Sequence, residues 1–346
     1  MYKLCKFLFF AAAAIFLFTE ARAQTTDENK EKNSAVSQKV SFYNRRGINI
    51  AADFYLPKAG EQGKKLPAVV IGGPLGSVKE QTSGLYAKTL AERGFATLAF
   101  DSSFMGESGG QPKYSVSPEI FVEDFRAAVD FLSNRSEVDE KNIGVIGISS
   151  GGAWALAAAV ADMRMKAIIT INMYDLGRQF RQGADGNKDK EELQNNLEEY
   201  SNARIAELDG NKGQTIGFVP EKITAQTSDA DKSFYAYYHT ERGSHPRAHP
   251  DIYLSDIPAL IAYNPTAQVD LISPRPILFI VGEKAHTRNF SEDAFLVAED
   301  PKELYSVSGA DHVDLYDRKD LIPFDAIEKF FENTLVEQKE QNGDKK

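Results

Sequence analysis

The chain has 346 residues, with 40 basic side chains against 50 acidic ones and a formal net charge of −10. This balance disfavours nucleic acid as a partner, because nucleic acids are held by clustered lysine and arginine. A single cysteine, Cys5, excludes an intramolecular disulfide and a thiolate metal site.

The first 23 residues have the pattern of a cleavable export signal. Lys3 and Lys6 form a basic start, residues 7–18 form an apolar run, and Ala21-Arg22-Ala23 is a small-residue cleavage site. The apolar run is shorter than the roughly 20 residues that span a bilayer, although an uncleaved anchor is the alternative. We expect cleavage after Ala23 and a periplasmic or secreted protein that makes no membrane contact afterwards. Because Cys5 lies within the signal, the mature chain has no thiol.

Residues 24–37 are polar and charged, which is typical of a flexible lead-in. The next two segments, 39–44 and 48–56, flank Arg45-Arg46-Gly47 and predict an antiparallel hairpin.

Short apolar segments then alternate with helical patterns. Predicted strands cover 66–71, 95–101, 142–148, 167–173, 275–282 and 302–307, and predicted helices cover 82–93, 118–134, a small-residue run after 150, a segment from 291, and 323–336. This alternation predicts an α/β fold with a mainly parallel central sheet flanked by helices. In such sheets, ligands bind at the carboxyl ends of the strands.

The alternation is interrupted between the sixth and seventh strands. Residues 175–270 are polar and aromatic with patches of helical spacing, and a structureless loop of this length is uncommon in a compact domain. We therefore expect a helical lid at 175–270, inserted into a core formed by 38–174 and 271–338. Residues 339–346 are charged and predict a disordered tail.

A nucleophile motif lies where the fifth strand meets the helix that follows it. The segment Gly147-Ile148-Ser149-Ser150-Gly151 has the G-x-S-x-G pattern in the strand–turn–helix context that a nucleophile elbow requires. An ordinary Gly/Ser turn is the alternative, because the bare motif is frequent. Ser149 is the candidate nucleophile.

A serine hydroxyl needs a base, which is usually a histidine. Of five histidines, only His312 follows the last strand, where the order serine, acid, histidine places the base. The spacing of His239, His245 and His249 matches no helical pair of metal ligands, so we expect no metal there. His286 lies near the edge of the sheet where the carboxyl ends of the strands meet, and it is a candidate for contact with substrate or with the catalytic residues.

The oxyanion of an acyl-transfer intermediate must meet preorganised N–H donors. The residue after the nucleophile, Ser150, supplies one donor. The loop after the third strand supplies the other, and there Pro74 has no N–H, which leaves Leu75.

These residues resemble the α/β-hydrolase family, and more narrowly its dienelactone-hydrolase and bacterial YcjY-like branch. The segments that carry the resemblance are 100–101, 106–108, 122–130, 147–152, 173–175, 272–276 and 309–317. The resemblance implies the fold, a serine nucleophile and ester-type hydrolysis. We expect no cofactor.

The sequence departs from the family pattern at the triad acid. Such enzymes commonly have Gly-x-x-Asp after the seventh strand, whereas here Gly282-Glu283-Lys284 is followed by Ala285. Two substitutes remain: Asp175, directly after the sixth strand, which we prefer, and Glu283. A broken triad is the third possibility.

We therefore expect an exported serine hydrolase that cleaves small-molecule carboxylic esters or thioesters through Ser149, His312 and one of these acids. The alternatives are a peptidase of the prolyl-oligopeptidase kind, which shares the fold, and a non-catalytic binding protein. Three further acids, Asp101, Glu107 and Asp124, are expected to fix loops through hydrogen bonds to backbone N–H groups.

Overall fold

A computed structural model describes residues 34–58, 64–183 and 186–336. The predicted export signal with its cleavage site, most of the lead-in and the charged tail lie outside the described residues.

The described residues form a central sheet and a small two-stranded ribbon. In chain order the strands are β1 (Ala35–Tyr43), β2 (Asn49–Pro57), β3 (Leu66–Gly72), β4 (Ala96–Phe100), β5 (Val138–Ile148), β6 (Met165–Ile171), β7 (Thr215–Gly217), β8 (Asp251–Tyr253), β9 (Ile277–Gly282) and β10 (Lys302–Val307). The central sheet has eight strands in the order β1-β2-β4-β3-β5-β6-β9-β10, and β7 pairs with β8 in the ribbon.

The sheet is parallel except at one edge. The strand β2 runs antiparallel to both β1 and β4, whereas β4, β3, β5, β6, β9 and β10 form parallel pairs. The predicted mainly parallel sheet and its opening hairpin are confirmed. All the parallel strands end at the same edge, as parallel strands must, so the loops that follow them meet there.

Helices cover both faces of the sheet. They are α1 (Thr82–Ala91), α2 (Pro118–Ser133), α3 (Ser150–Ala161), α4 (Leu176–Gln182), α5 (Lys190–Leu208), α6 (Asp229–His239), α7 (Ile257–Ala262), α8 (Arg288–Val297), α9 (Asp314–Asp317) and α10 (Phe324–Phe331). Side chains of β5 alternate between two apolar clusters: Ile143 and Val145 pack with α2, α3 and α8, and Ile146 and Ile148 pack with α1 and α10. This two-sided burial explains why the strand is a continuous apolar run.

Several boundaries differ from the predicted ones by two to four residues, for example at the start of β5 and of α8. Residues 35–37, predicted as lead-in, belong to β1, because Ala35 pairs with Pro57 and the hydrogen bonds of the edge strand extend through polar residues. The predicted final helix ends at Phe331 and continues as a π-helical turn over Glu332–Val336.

The segment between β6 and β9 (residues 175–270), which we call the β6–β9 segment, contains α4 to α7 and the β7–β8 ribbon. Its helices pack on the same apolar cluster as α3 through side chains such as Phe180, Tyr200 and Leu260. No helix in the described ranges is long and apolar enough to cross a membrane.

Candidate active site

Ser149 lies on a strained turn between β5 and α3. Its backbone has φ +57° and ψ −125°, a conformation that is rare for any residue other than glycine. The turn closes tightly, since a Cβ on Gly147 would lie 2.3 Å from the carbonyl oxygen of Gly151. A Cβ on Gly151 would in turn lie 2.5 Å from the carbonyl oxygen of Gly73. Both glycines are therefore required, and the turn carries Ser149 to the active edge of the sheet.

The His312 imidazole lies beside this serine. Its Nε2 is 3.1 Å from Ser149 Oγ, and the side chain is buried. Asn172, at the end of β6, fixes the backbone that carries it: the Asn172 amide donates to the carbonyl of His312 at 2.9 Å and accepts from the N–H of Gly282 at 2.7 Å. One side chain thus ties together the ends of β6, β9 and β10.

The other imidazole nitrogen is bound by a hydroxyl group. Thr287 Oγ1 lies 2.6 Å from His312 Nδ1, and Thr287 is fully buried in the loop between β9 and α8. In a serine–histidine–aspartate triad this position holds a carboxylate that accepts from Nδ1–H. Within the described ranges, no carboxylate hydrogen-bonds either nitrogen of His312.

The two predicted acids are bonded elsewhere. Asp175 begins α4, where its carboxylate accepts from the N–H of Arg178 at 2.9 Å, and burial raises its pKa. Glu283 is exposed and accepts from the N–H of Gly309 at 2.7 Å; this bond lowers the Glu283 pKa. The expectation that Asp175 or Glu283 orients the imidazole is not met, because Thr287 occupies the place beside Nδ1.

A tyrosine that the sequence analysis did not single out completes the group. Tyr316 Oη lies 3.0 Å from His312 Nε2, the nitrogen that Ser149 Oγ also approaches. Burial raises the pKa of Tyr316 well above its ordinary value, so the phenol stays neutral and has one proton to donate. The spacing offered a signal: Tyr316 is four residues after His312, on the short helix α9.

The surroundings favour the neutral form of His312. Burial lowers its pKa well below the ordinary range, and the positive form of His286 would lower it further. The two imidazole rings lie 5.1 Å apart, centroid to centroid, and Phe234 packs against both. A neutral imidazole is the form that can accept a proton from Ser149.

Two residues whose backbone N–H groups have no acceptor among the described residues line the cavity at Ser149. Leu75 and Ser150 line a cavity together with Ser149, and in the part of the chain that the structure describes neither of their N–H groups has a hydrogen-bond acceptor. Ser150 is the first residue of α3, where N–H groups have no partner within the helix. Both residues that the sequence analysis expects to supply oxyanion donors thus line the cavity with Ser149.

A buried ion cluster supports the loop that carries Leu75. The Asp101 carboxylate accepts from the N–H groups of Lys79, at 2.6 Å, and Glu107, at 2.7 Å. The Lys79 ammonium, only 1% exposed, pairs with Glu80 and Glu107. Asp124 likewise accepts from the N–H of Ser103. Asp101 and Asp124 thus fix loops through backbone N–H groups, as the sequence analysis expects, whereas the Glu107 carboxylate accepts from the Lys79 ammonium.

The β6–β9 segment closes over this loop. The N–H of His249 donates to the carbonyl of Gly76 at 2.8 Å, and Arg247 pairs with Glu80. A Cβ on Gly76 would lie 2.1 Å from the carbonyl oxygen of His249, so the two backbones are in direct contact.

The remaining cavity is small and apolar. The space open to the centre of a water-sized sphere is about 30 Å³, enough for roughly two waters. Its lining consists of Pro74, Leu75, Ser149, Ser150, Tyr174, Leu176, Phe218, Val219, Phe234, Tyr238, Pro250 and Tyr316. None of these side chains carries a charge at neutral pH.

The remaining histidines of the β6–β9 segment lie apart. His239 packs on Tyr235, His249 packs on Tyr114, and His245 Nδ1 accepts from the N–H of Arg247. Over the described ranges, no three histidine, cysteine or acidic side chains lie close enough to hold a metal ion together.

Residues 46–242 match the family model described as X-Pro dipeptidyl-peptidase (S15 family). The uncharacterized protein PA2218 of Pseudomonas aeruginosa is 48% identical over 303 residues, 86% of this chain and 81% of the relative. The crystal structure of PA2218 has a TM-score of 0.84, covering 87% of this chain and 94% of that chain at 46% identity.

Two further relatives match over different lengths of the chain. The uncharacterized protein YcjY of Escherichia coli is 33% identical over 305 residues, which cover 87% of this chain and all of YcjY. Thiohydrolase aneE of Aspergillus aculeatus is 34% identical over 146 residues, 42% of this chain and 43% of the relative.

Proposed function

Because this chain belongs to the YcjY-like family of α/β hydrolases, we propose that it is a serine hydrolase that cleaves carboxylic esters or thioesters through an acyl-enzyme on Ser149. The observation that carries the proposal is the 3.1 Å approach of His312 Nε2 to Ser149 Oγ, at a cavity that Leu75 and Ser150 also line. The name of the thiohydrolase relative agrees with acyl chemistry.

In the proposed reaction, Ser149 Oγ attacks the acyl carbon while its proton moves to His312 Nε2. The N–H groups of Leu75 and Ser150 then receive the negative oxygen, a contribution that is worth about 10²–10³ in rate per donor in other enzymes. The leaving group departs with the electron pair of the broken bond, and His312 Nε2 gives its proton to that group or to water, which restores the neutral imidazole. Water, activated by the same imidazole, hydrolyses the acyl-enzyme and restores Ser149.

Thr287 takes the place of the acid in this scheme. Its hydroxyl group holds the imidazole ring in position at Nδ1 but carries no negative charge. Tyr316 is the second positioning residue, since its phenol hydrogen-bonds His312 Nε2.

The proposal is tested by covalent labelling. A fluorophosphonate should modify wild-type protein at Ser149, located by mass spectrometry, and the Ser149→Ala variant should lose both the label and the hydrolysis of phenyl acetate. Ser291→Ala is the matched control, because the Ser291 hydroxyl is buried with no hydrogen-bond partner among the described residues and lies outside the cavity lining. Full activity of the Ser149→Ala variant would refute the assignment.

A second candidate, a peptidase, is favoured by the description of the matching family model. Recognition of a free peptide amine calls for a carboxylate in the pocket, whereas the cavity lining carries no charge. Turnover of an X-Pro anilide at a rate comparable to that of phenyl acetate would favour the peptidase.

A further inference from the structure

We propose that this site selects acyl donors whose leaving group departs without a proton, namely thioesters and aryl esters, and that Thr287 is the positioning residue responsible. The inference rests on the proposed acyl-enzyme chemistry and narrows its substrate class. It also predicts that amides are poor substrates of this chain, although the matching family model describes a peptidase.

The imidazole ring of His312 acquires a positive charge during the proposed reaction. When Ser149 gives its proton to Nε2, His312 becomes a buried cation. A triad carboxylate stabilises that cation by direct charge attraction and also fixes the imidazole tautomer. Replacing it with a neutral amide, which favours the wrong tautomer, costs about 10⁴ in kcat in another serine hydrolase. Here the partner at 2.6 Å is the neutral Thr287 hydroxyl, which offers only a dipole. The imidazolium is therefore a costly intermediate.

The partner at Nδ1 also decides which nitrogen of the neutral imidazole carries the proton. A carboxylate only accepts hydrogen bonds, so it fixes a proton on Nδ1 and leaves Nε2 free. A hydroxyl both accepts and donates, and in the described part of the chain Thr287 Oγ1 has no other hydrogen-bond partner than Nδ1. The tautomer with its proton on Nε2, in which Thr287 donates to Nδ1, is consequently accessible. In that tautomer Nε2 cannot accept the proton of Ser149.

The leaving group departs when the tetrahedral intermediate breaks down. The bond from the acyl carbon to the leaving group breaks, and the leaving group takes the electron pair. A thiolate or phenolate can leave as the anion, because thiols and phenols have pKa values of about 8.5 and about 10, and the imidazolium then returns its proton to that anion or to water. An alkoxide or amide nitrogen must receive the proton while the bond breaks. Acyl donors with such leaving groups need the imidazolium both when the tetrahedral intermediate forms and when it breaks down. The high free energy of the imidazolium therefore lowers their rates most.

The experiment is a leaving-group series with one acyl group. The probes are an acetyl thioester, phenyl acetate, ethyl acetate and acetanilide, assayed with wild-type enzyme and with Thr287→Asp, Thr287→Asn, Thr287→Ser and Thr287→Val. Asn is the matched control for Asp, because it has the same size and no charge. Ser retains the hydroxyl, and Val retains the shape of threonine without it.

For the wild type we expect kcat/KM to fall steeply from the thioester and the phenyl ester to the ethyl ester and the anilide. The Asp variant should flatten this dependence, raising kcat/KM for ethyl acetate by roughly tenfold or more and for phenyl acetate by less. It should also move the acid limb of the pH profile upward by roughly 1–3 units, because a carboxylate favours the imidazolium. The Asn variant should do neither, and Ser should preserve the wild-type dependence while Val lowers all rates.

Two results would overturn the inference. One is a wild-type enzyme that turns over ethyl acetate and phenyl acetate equally well, a measurement that needs no variant to fold. The other is an Asn variant that flattens the dependence as much as Asp does. Both leave the proposed function standing as long as the fluorophosphonate labels Ser149, whereas absence of labelling together with absence of turnover removes the proposed function itself.

Discussion

At the scale of single residues, His312 is surrounded by hydroxyl groups where a triad would show one hydroxyl and one carboxylate. Thr287 lies at Nδ1, and both Ser149 and Tyr316 lie at Nε2. The neutral Tyr316 phenol and the Ser149 hydroxyl compete for the same lone pair of Nε2. The basicity of the site is therefore set by burial and by neutral dipoles.

The pH dependence of the wild-type enzyme follows from this environment. Catalysis requires neutral His312, and burial lowers its pKa well below the ordinary range. As the pH falls, the fraction of neutral imidazole stays high through the usual titration of histidine at about 6.5. We expect kcat/KM for phenyl acetate to remain level down to that pH and to fall only at lower pH.

The measurement is a pH profile of kcat/KM from pH 4 to 8, with circular dichroism recorded at each pH so that acid unfolding is recognised. A half-loss of activity at or above pH 6.5 in folded protein would contradict the expected shift. Repeating the profile with Thr287→Asp links this prediction to the charge at Nδ1.

At the scale of elements, the loop after β3 depends on the β6–β9 segment for its shape. Gly76 has φ +67°, and its carbonyl accepts from the N–H of His249, whose own carbonyl oxygen lies where a Cβ of Gly76 would be. Leu75, one residue earlier, carries the proposed oxyanion donor. The distance between these two backbones therefore controls where that donor points.

Gly76→Ala tests this coupling. We expect the new methyl group to push the loop away from His249 and to lower kcat by up to roughly a hundredfold, the effect of losing one oxyanion donor. Enzyme assays and thermal unfolding of the purified variant provide the measurement.

Gly47→Ala is the matched control. Gly47 has a similar φ of +75° in the β1–β2 hairpin, and no atom of the described residues outside its own turn lies within 4 Å of the place where its Cβ would be. The variant should lose about 1 kcal/mol of stability from backbone strain and keep its activity. Equal losses of activity in both variants would show that strain alone, and not the contact with His249, explains the effect.

At the scale of the whole molecule, the β6–β9 segment leaves little space at Ser149. About 30 Å³ is open to the centre of a water-sized sphere, which is too little for an acyl chain of several carbons. Contacts between this segment and the rest of the molecule, such as Thr82 with Tyr237 and Arg242 with Asp317, must loosen when a larger acyl group binds.

Hydrogen exchange measures this loosening. Protein labelled with a decyl fluorophosphonate should exchange faster than unlabelled protein in the β6–β9 segment around 213–250, because the chain must open to hold ten carbons. Protein labelled with an ethyl fluorophosphonate serves as the control and should exchange at nearly the unlabelled rate. Identical exchange in both adducts would mean that the acyl group lies outside the cavity.

The sequence was sufficient to predict the sheet, since its strands are short apolar runs between helices, and it also led to Ser149 and His312, which the structure brings together. The partner of Nδ1 was predicted as a carboxylate, preferably Asp175 after β6 and otherwise Glu283 after β9, whereas it is Thr287 after β9. A threonine has no charge by which to be recognised. Tyr316 was missed although its spacing of four residues from His312 offered a signal. The lining of the cavity could not be predicted, because contacts made by the β6–β9 segment depend on how irregular chain folds back over the sheet.

The interlocked glycines at the turn have a practical consequence for redesign. Gly147, Gly151 and Gly73 bring backbone against backbone, so libraries that vary this turn will consist largely of misfolded protein. Thr287 presents only a side chain to His312, from a loop whose neighbours Lys284 and His286 are exposed. Random mutagenesis aimed at 284–289 should therefore recover many folded clones with altered reactivity, whereas the same effort spent on 72–76 or 147–152 should recover few.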